Sequence, residues 1–377
     1  MRIMKRTGSR LKKGCGPDKV VAFREVLLEW YDANARDLPW RYRSGATPEP
    51  YKVWLSEIML QQTTVTAVIP YFLKFTALWP NVFALADADI DDVMREWAGL
   101  GYYARARNLH KCAQIVAYGR GGVFPEDQRE LMTLPGIGEY TSAAIRAIAF
   151  GKPATVVDGN VERVMVRVHG LSGDAKSVKK EAKAQARAYF ESYEARPGDL
   201  AQAFMDLGAT ICIPKVPRCF DCHVSRLGCD FISEHSTRTG VQHSEIKQQI
   251  IPKDKREGKV YWVQDEDKRV LLHRRHPRGL LGGTVGFPTS GWEYPLVQDD
   301  FLSDLEDLEY EIISHTVQHE FTHFNLRLNL RGARVQAKFK HPANYFWCDV
   351  IRLDSIGLPT LFSKAYRVFR LHGWGQH

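Results

Sequence analysis

Residues 134–160 read LPGIGEYTSAAIRAIAFGKPATVVDGN, and this stretch decides how the rest of the chain is read. Leu134-Pro135-Gly136-Ile137-Gly138 is a tight turn. Its two glycines can take positive φ and let successive backbone N–H groups point outward together. An Ala/Ile-rich run of helical character follows over 141–150, and Gly151-Lys152-Pro153 ends it. A helix starting behind such a turn adds its positive end, so the pair forms a cradle for an anion such as a phosphate. Thr155-Val156-Val157 then delivers Asp158 into Gly159-Asn160. The expected arrangement is a turn that grips a nucleic-acid backbone with a carboxylate, Asp158, working beside it.

With 377 residues the chain is long enough for two domains with real cores. No apolar run approaches the roughly 20 residues of a membrane span. The first 19 residues are basic but lack the apolar stretch of a secretory signal, so the expected location is cytoplasmic, of bacterial, nucleoid-associated type, with no membrane partner. Net charge is +8. Seven Lys/Arg against one Asp lie in residues 1–19. That tail reads as a flexible arm attracted to DNA, or as a solvated end with no role. The remainder is nearly neutral, so the basic pI is weak evidence for nucleic-acid binding by the folded part.

Working outward, helical spacing recurs over 20–31, over 53–79 as two helices meeting near Pro70, over 87–98, and in a basic helix over 104–119. Short or polar helices follow over 127–131, 161–170 and 176–193, and an apolar one over 200–211. Residues 20–232 are therefore one helical domain. Residues 233–258 are polar and aperiodic and read as an interdomain linker. Beyond them the period changes towards two, with strands expected at 259–263, 270–274, 324–330 and 345–350. An acidic helix over 299–311 and a helix over 361–371 complete a second domain, 259–377. The fold class is multidomain, α followed by α/β.

Cys212, Cys219, Cys222 and Cys229 are spaced C-x6-C-x2-C-x6-C. Without a secretory signal, such a cluster points to a metal centre of structural type and away from disulfides. Spacing leaves zinc and iron–sulfur both open, beside the plain alternative of unliganded thiols. Glu57 lies among apolar neighbours in WLSEIMLQQ. Desolvation there would raise its pKa and suit it to general-acid work, although a surface salt bridge fits the periodicity too. Gln61, one turn on, shares its face. Asp158 could equally be a helix N-cap. Two carboxylates flanking a glycosidic bond make chemical sense, one protonating the leaving group and the other supporting an oxocarbenium-like centre. Tyr102, after Gly101 and before Arg105 and Arg107, can wedge between bases while the arginines hold phosphates, or can pack in the core. His315, His319 and His323 recur at intervals of four, but the alternating strand that follows argues against a helical metal site.

These motifs agree in order. The chain resembles the adenine DNA glycosylase family of the helix-hairpin-helix glycosylases, over residues 20–371. The match is carried by DLPWR ending at Arg41, WLSEIMLQQT containing Glu57, GLGYYARARNLH containing Tyr102, the LPGIG turn, VDGN containing Asp158, and the four cysteines. The resemblance implies a helix-hairpin-helix glycosylase domain with a four-cysteine cluster loop, followed by a Nudix-like domain that reads 8-oxoguanine. It implies a monomer that hydrolyses the bond to adenine mispaired with 8-oxoguanine or guanine in double-stranded DNA, within base excision repair. Glu57 would protonate the flipped adenine at N7, and Asp158 would support the sugar cation. Tyr140 and Asn160 match positions that organise that carboxylate. Gln61 and Tyr102 match residues wedged into the duplex, and Arg41, Gly136 and Gly138 are expected on the DNA. The cysteines match a 4Fe-4S cluster.

Related glycosylase/lyases of the endonuclease III kind carry a lysine two residues after the second glycine of the turn, an amine able to form a Schiff base. Tyr140 stands there, so a monofunctional enzyme is expected. After Gly282-Gly283 the chain lacks the glutamate set of a Nudix hydrolase, so the second domain is expected to recognise its ligand, through Phe321, Thr322 and His323, without hydrolysing pyrophosphate. Two positions depart from the family: the last cysteine interval has one residue more than usual, and Thr322 stands where serine is usual. Three other readings compete: an oxidised-pyrimidine glycosylase/lyase, a non-catalytic lesion-binding protein and a zinc-binding adaptor.

Overall fold

A computed structural model describes residues 16–42, 48–232, 253–292, 300–336 and 339–375. The basic tail through residue 15 and the linker through residue 252 lie outside the described residues. By internal packing the chain forms two compact units: residues 1–61 with 123–248, and residues 62–122 with 249–377. None of the described helices is long and apolar enough to cross a membrane.

The first unit contains helices α1 (Pro17–Asn34) and α2 (Pro50–Leu60), and the second contains α3 (Val65–Leu78), α4 (Val82–Asp87), α5 (Ile90–Glu96) and α6 (Ala104–Gly119). The chain then returns to the first unit for α7 (Gln128–Met132), α8 (Glu139–Phe150), α9 (Gly159–Val168), α10 (Ala175–Phe190) and α11 (Pro197–Asp206), the last continued by a π-helical turn, Leu207–Ile211. Proline occupies the first turn of α1, α2 and α11, where its missing N–H costs nothing. Aspartates 127, 158 and 174 cap α7, α9 and α10 by accepting a backbone N–H. The core of this unit centres on Phe23, which stacks on Phe204 and meets the edge of Tyr189. Small residues on α8, including Ala143, Ala144 and Ala147, let α2 and α11 pack closely against it.

Pro70 does not divide two helices as expected; it lies inside α3. The break falls at residues 61–64, where Gln62 adopts φ 58°. Pro70, the sixth residue of α3, removes one i→i−4 hydrogen bond without ending the helix.

In the second unit, strands β1 (Asp254–Gln264), β2 (Arg269–Arg274), β3 (Val285–Gly286), β4 (Thr289–Ser290), β5 (Glu311–Glu320), β6 (Phe324–Arg334) and β7 (Tyr345–Asp349) form one sheet. Its order is β3-β2-β1-β6-β5, with β4 also on β1 and β7 on β2. β1 starts at Asp254, so residues 254–258, expected as linker, are strand. They are held by parallel pairing from Asp254↔Phe324 to Gln264↔Arg334. β5 was not expected, because its mostly polar face hides the alternation; it pairs with β6 through a bulge between Ile313 and Thr316. Alternation along β1 sends Trp262 to one face, against Phe362 and Phe369 of the helix Thr360–Leu371. Tyr261 and Val263 go to the other face, against Phe301 and Leu305 of the helix Asp300–Glu306. The result is the expected class, a helical part and a sheet covered by helices on both faces.

Candidate active site

The turn between α7 and α8 is a helix-hairpin-helix. Gly136 takes φ 80°, as the tight turn demands. Gly138 does not: it is the extended N-cap of α8 at φ −95°. A Cβ there would meet no atom of the described residues within 4 Å, which leaves open space at the N-terminus of α8.

α2 is buried from Val53 through Met59, and Glu57 with it, at 5% exposure. Among the described residues, its Oε2 has no hydrogen-bond partner. Burial pushes the Glu57 pKa up to about 7, and the nearby Asp158 charge adds to the rise, while the Tyr140 hydroxyl and Arg41 oppose it. The Tyr140 hydroxyl also donates to Met205 Sδ at 3.4 Å. A carboxyl in this state can carry a proton at neutral pH and has an unused oxygen to deliver it. Gln61 ends α2 one turn later, and its Nε2 donates to the Gly136 carbonyl at 3.2 Å and to Thr141 Oγ1 at 3.1 Å. The acid-bearing helix is thereby tied to the hairpin.

Asp158 caps α9, accepting the Val161 N–H at 2.7 Å on one oxygen and Asn160 Nδ2 at 2.8 Å on the other. Asn160 in turn accepts from Arg163 Nη2 at 2.9 Å, and Arg163 also donates to the carbonyls of Gly208 at 2.6 Å and Cys212 at 2.8 Å. The π-helical turn approaches so closely that a Cβ on Gly208 would lie 2.6 Å from that of Asn160. Sequence reading brought out Asp158 and Asn160 but missed Arg163; its place three residues after Asn160 on an expected helix was the available signal.

Arg41, expected on DNA, is turned inward. It grips Asp206 with both guanidinium ends, at 2.5 and 2.6 Å, and Arg36 adds a side-chain bond at 2.6 Å and its backbone N–H at 3.0 Å. Asp206 is fully buried. A bidentate arginine on a buried carboxylate has no donor face to turn towards a phosphate. Burial pushes the Asp206 pKa up, but the two arginines outweigh it and hold the carboxyl below its usual value. Asp206→Asn, which leaves two part-buried guanidinium groups short of their buried counter-charge, is expected to destabilise the fold by about 3 kcal/mol in urea unfolding. In the parent this contribution fades as pH falls through the lowered carboxyl pKa. A loss below about 1 kcal/mol would show that the cluster is dispensable.

The 4Fe-4S expectation is corrected. Among the described residues, no group of three or more His, Cys, Asp or Glu side chains is placed to hold a metal ion. Cys212, Cys219, Cys222 and Cys229 lie along the wall of one cavity, together with Val164, Leu207, Ile211 and Val224. Burial raises the thiol pKa values of Cys219, Cys222 and Cys229, that of Cys222 to about 12. Cys212 Sγ accepts from Arg167 at 3.3 Å and Cys229 Sγ donates to the Arg167 carbonyl at 3.5 Å. Cys212 and Cys229 thus bond to the protein's own Arg167.

In the second unit, Tyr102 is 47% exposed with φ 49°, a left-handed conformation costing a bulky residue roughly 1–2 kcal/mol. Arg105 and Arg107, expected on phosphates, brace the protein instead. Arg105 is buried and donates to the carbonyls of Leu100 at 3.0 Å and Gly101 at 3.3 Å and to Thr63 Oγ1 at 2.9 Å. Arg107 donates to the Gly282 carbonyl. Trp97 Nε1 adds a bond to the Gly101 carbonyl at 3.0 Å. Phe321, Thr322 and His323 form the β5–β6 turn, closed by the Phe321 N–H on the Phe324 carbonyl at 2.9 Å. The ring of Phe321 stacks on Phe324 and Trp292. His315 and His319 lie on a strand, with His315 Nδ1 at 2.7 Å from His372 Nε2.

Residues 55–188 match the family described as HhH-GPD superfamily base excision DNA repair protein, and residues 259–367 match the NUDIX domain. The chain is 33% identical to the adenine DNA glycosylase of Homo sapiens, over 93% of this chain and 74% of that one. It is 44% identical to that of Rattus norvegicus, over 94% and 79%. Against the adenine DNA glycosylase of Buchnera aphidicola subsp. Acyrthosiphon pisum it is 42% identical, over 92% and 97%. With a hairpin beside two carboxylates and relatives matched along nearly its whole length, the chain belongs to the adenine DNA glycosylase family.

Proposed function

We propose that this protein hydrolyses the N-glycosidic bond of adenine mispaired with 8-oxoguanine or guanine in duplex DNA, without cutting the strand. The observation that carries the reading is Glu57, buried, held near neutrality and with one oxygen unused, beside Asp158 and Tyr140.

The hairpin N–H groups and the positive end of α8 would hold the backbone near the target, and the adenine would turn out of the stack. Glu57, in its protonated form, gives its proton to N7. The N9–C1′ electron pair then leaves with the base, and positive charge develops on the sugar. Asp158 lies ready to stabilise that charge, its two oxygens already aimed by Val161 and Asn160. Water adds at C1′ and its proton returns to a carboxylate. Tyr140 supplies no amine, so no Schiff base forms and the strand stays intact, which disfavours the oxidised-pyrimidine glycosylase/lyase reading.

Single-turnover adenine release from an 8-oxoguanine:A duplex, followed with and without alkali, tests this. Release with strand breaks only after alkali is expected. A borohydride-trapped covalent adduct as the main product would overturn the monofunctional assignment, and binding without release would favour a non-catalytic lesion binder.

A further inference from the structure

We propose that the second unit binds a nucleoside 5′-phosphate in a cavity between α5 and the edge of its sheet, a site that uses none of the residues assigned above to DNA or to the glycosidic bond.

The cavity, of about 490 Å³, lies where α5 meets β2, β3, β7 and the turn that follows Val350–Arg352. That is within the roughly 300–1,000 Å³ of small-molecule sites. One end is closed by direct contact: Gly357 takes φ 76°, and a Cβ there would lie 2.6 Å from Arg95 Cα. The floor is apolar. Val285, Phe346 and Ile356 pack on the core of this sheet face and leave part of their surface to the cavity. Strand register puts an aromatic ring beside a guanidinium. Phe346 pairs with Leu272, and Arg274, two positions on, shares the face of Leu272.

The rim is cationic. Arg95, Arg274 and Arg352 line it with one carboxylate, Asp91. Asp91 holds Arg274 with both oxygens, at 2.6 and 2.7 Å. Arg95 is shared with Asp92 at 2.6 Å and Glu96 at 3.4 Å. Arg352 is exposed and makes no ion pair among the described residues. A guanidinium without a counter-charge, next to two more, suits a phosphate, whose oxygens match its fork of donors. Inorganic phosphate would leave the Phe346 ring uncovered, whereas a base can lie against it. The phosphates of a duplex, strung along a rod, would touch the rim and leave the floor empty. The ligand phosphate takes Arg352 and displaces Asp91 from Arg274. That pair is 44% and 52% exposed, and exposed pairs are worth little, so the exchange of partners costs little.

Calorimetric titration of the full-length protein, with saturating undamaged duplex present to occupy its DNA surface, tests this. The probes are dGMP, dAMP, inorganic phosphate and deoxyguanosine. One nucleotide per chain is expected to bind, with phosphate and nucleoside at least about tenfold weaker. Arg352→Gln, at an exposed and unpaired position that folding does not need, should weaken the nucleotides about tenfold and leave adenine release unchanged. Asp91→Asn frees Arg274 and should tighten them severalfold. Phe346→Leu should weaken the nucleotides about fivefold or more and leave phosphate as it was. No saturable binding at millimolar nucleotide, or binding indifferent to Arg352→Gln, would overturn the site. Weaker binding by Asp91→Asn would overturn the exchange at Arg274, and phosphate binding as tightly as dGMP would overturn the nucleoside. None of these outcomes bears on adenine release, so the site can fail while the glycosylase reading stands.

Discussion

Glu57→Gln is expected to abolish adenine release and, at the same time, to make the protein more stable at pH 8. The first half follows from chemistry. An amide cannot deliver a proton to N7, and a positioned general acid is worth roughly 10²- to 10⁴-fold, so a fall of at least about a thousandfold is expected. The second half follows from burial. Glu57 titrates near 7 in the fold, against an ordinary value of 4.5. Between those values the folded state holds a proton that the unfolded chain has released. Stability therefore declines as pH rises through that window and stays reduced above it. With a shift of this size the loss is on the order of 3 kcal/mol. Glutamine does not titrate, so the variant escapes the loss and gains on its parent as pH rises from 5 to 8. In the parent, release should weaken above about pH 7, where the acid loses its proton. Unfolding in urea at both pH values, beside single-turnover assays, checks the pair of effects. Equal stability at pH 8 would mean that Glu57 is solvated in the working protein, and substantial release by the variant would remove it as the acid.

That trade of stability for reactivity explains which features were legible in the sequence. Glu57 stood out because an acid among mostly apolar residues, in WLSEIMLQQ, is at odds with the pattern around it; the periodicity also fitted a surface salt bridge, which its burial excludes. The hairpin was legible for a related reason: Gly136 occupies a backbone conformation that few residues tolerate. Arginines were misread because their type tells little about their partner. Arg41 meets Asp206, 165 positions away, and Arg107 meets a carbonyl 175 positions away. A guanidinium that suits a phosphate suits a buried carboxylate or a row of carbonyls equally well. The cysteine spacing likewise specified four soft ligands on a short segment, but where they meet depends on the backbone path between them, which spacing does not give. β5 escaped notice because its exposed face carries histidines and charged groups, leaving too few apolar positions for alternation to show.

Asp158→Asn separates two roles that the wild-type residue combines. As the N-cap of α9, Asp158 needs only an oxygen to accept the Val161 N–H. Asparagine caps about as well as aspartate, so unfolding stability should change by less than about 0.5 kcal/mol. The oxygen that accepts from Asn160 Nδ2 at 2.8 Å is also kept if the new side-chain amide points its nitrogen away. What disappears is the charge. A developing sugar cation loses its counter-ion, and the loss of one such preorganised group costs on the order of 10²- to 10³-fold in rate. Here the missing group bears a full charge, so the upper end of that range or beyond is expected. Asp158→Ala removes cap and charge together and should add about 1 kcal/mol of destabilisation to the same kinetic defect. If Asp158→Asn released adenine at the parental rate, the residue would be a helix cap and nothing more, and the cation would need another partner. If the asparagine variant unfolded as readily as the alanine one, the kinetic loss could not be assigned to charge. A folded, DNA-binding, inactive asparagine variant is the outcome that makes the carboxylate's charge, rather than its place at the helix end, the source of catalysis.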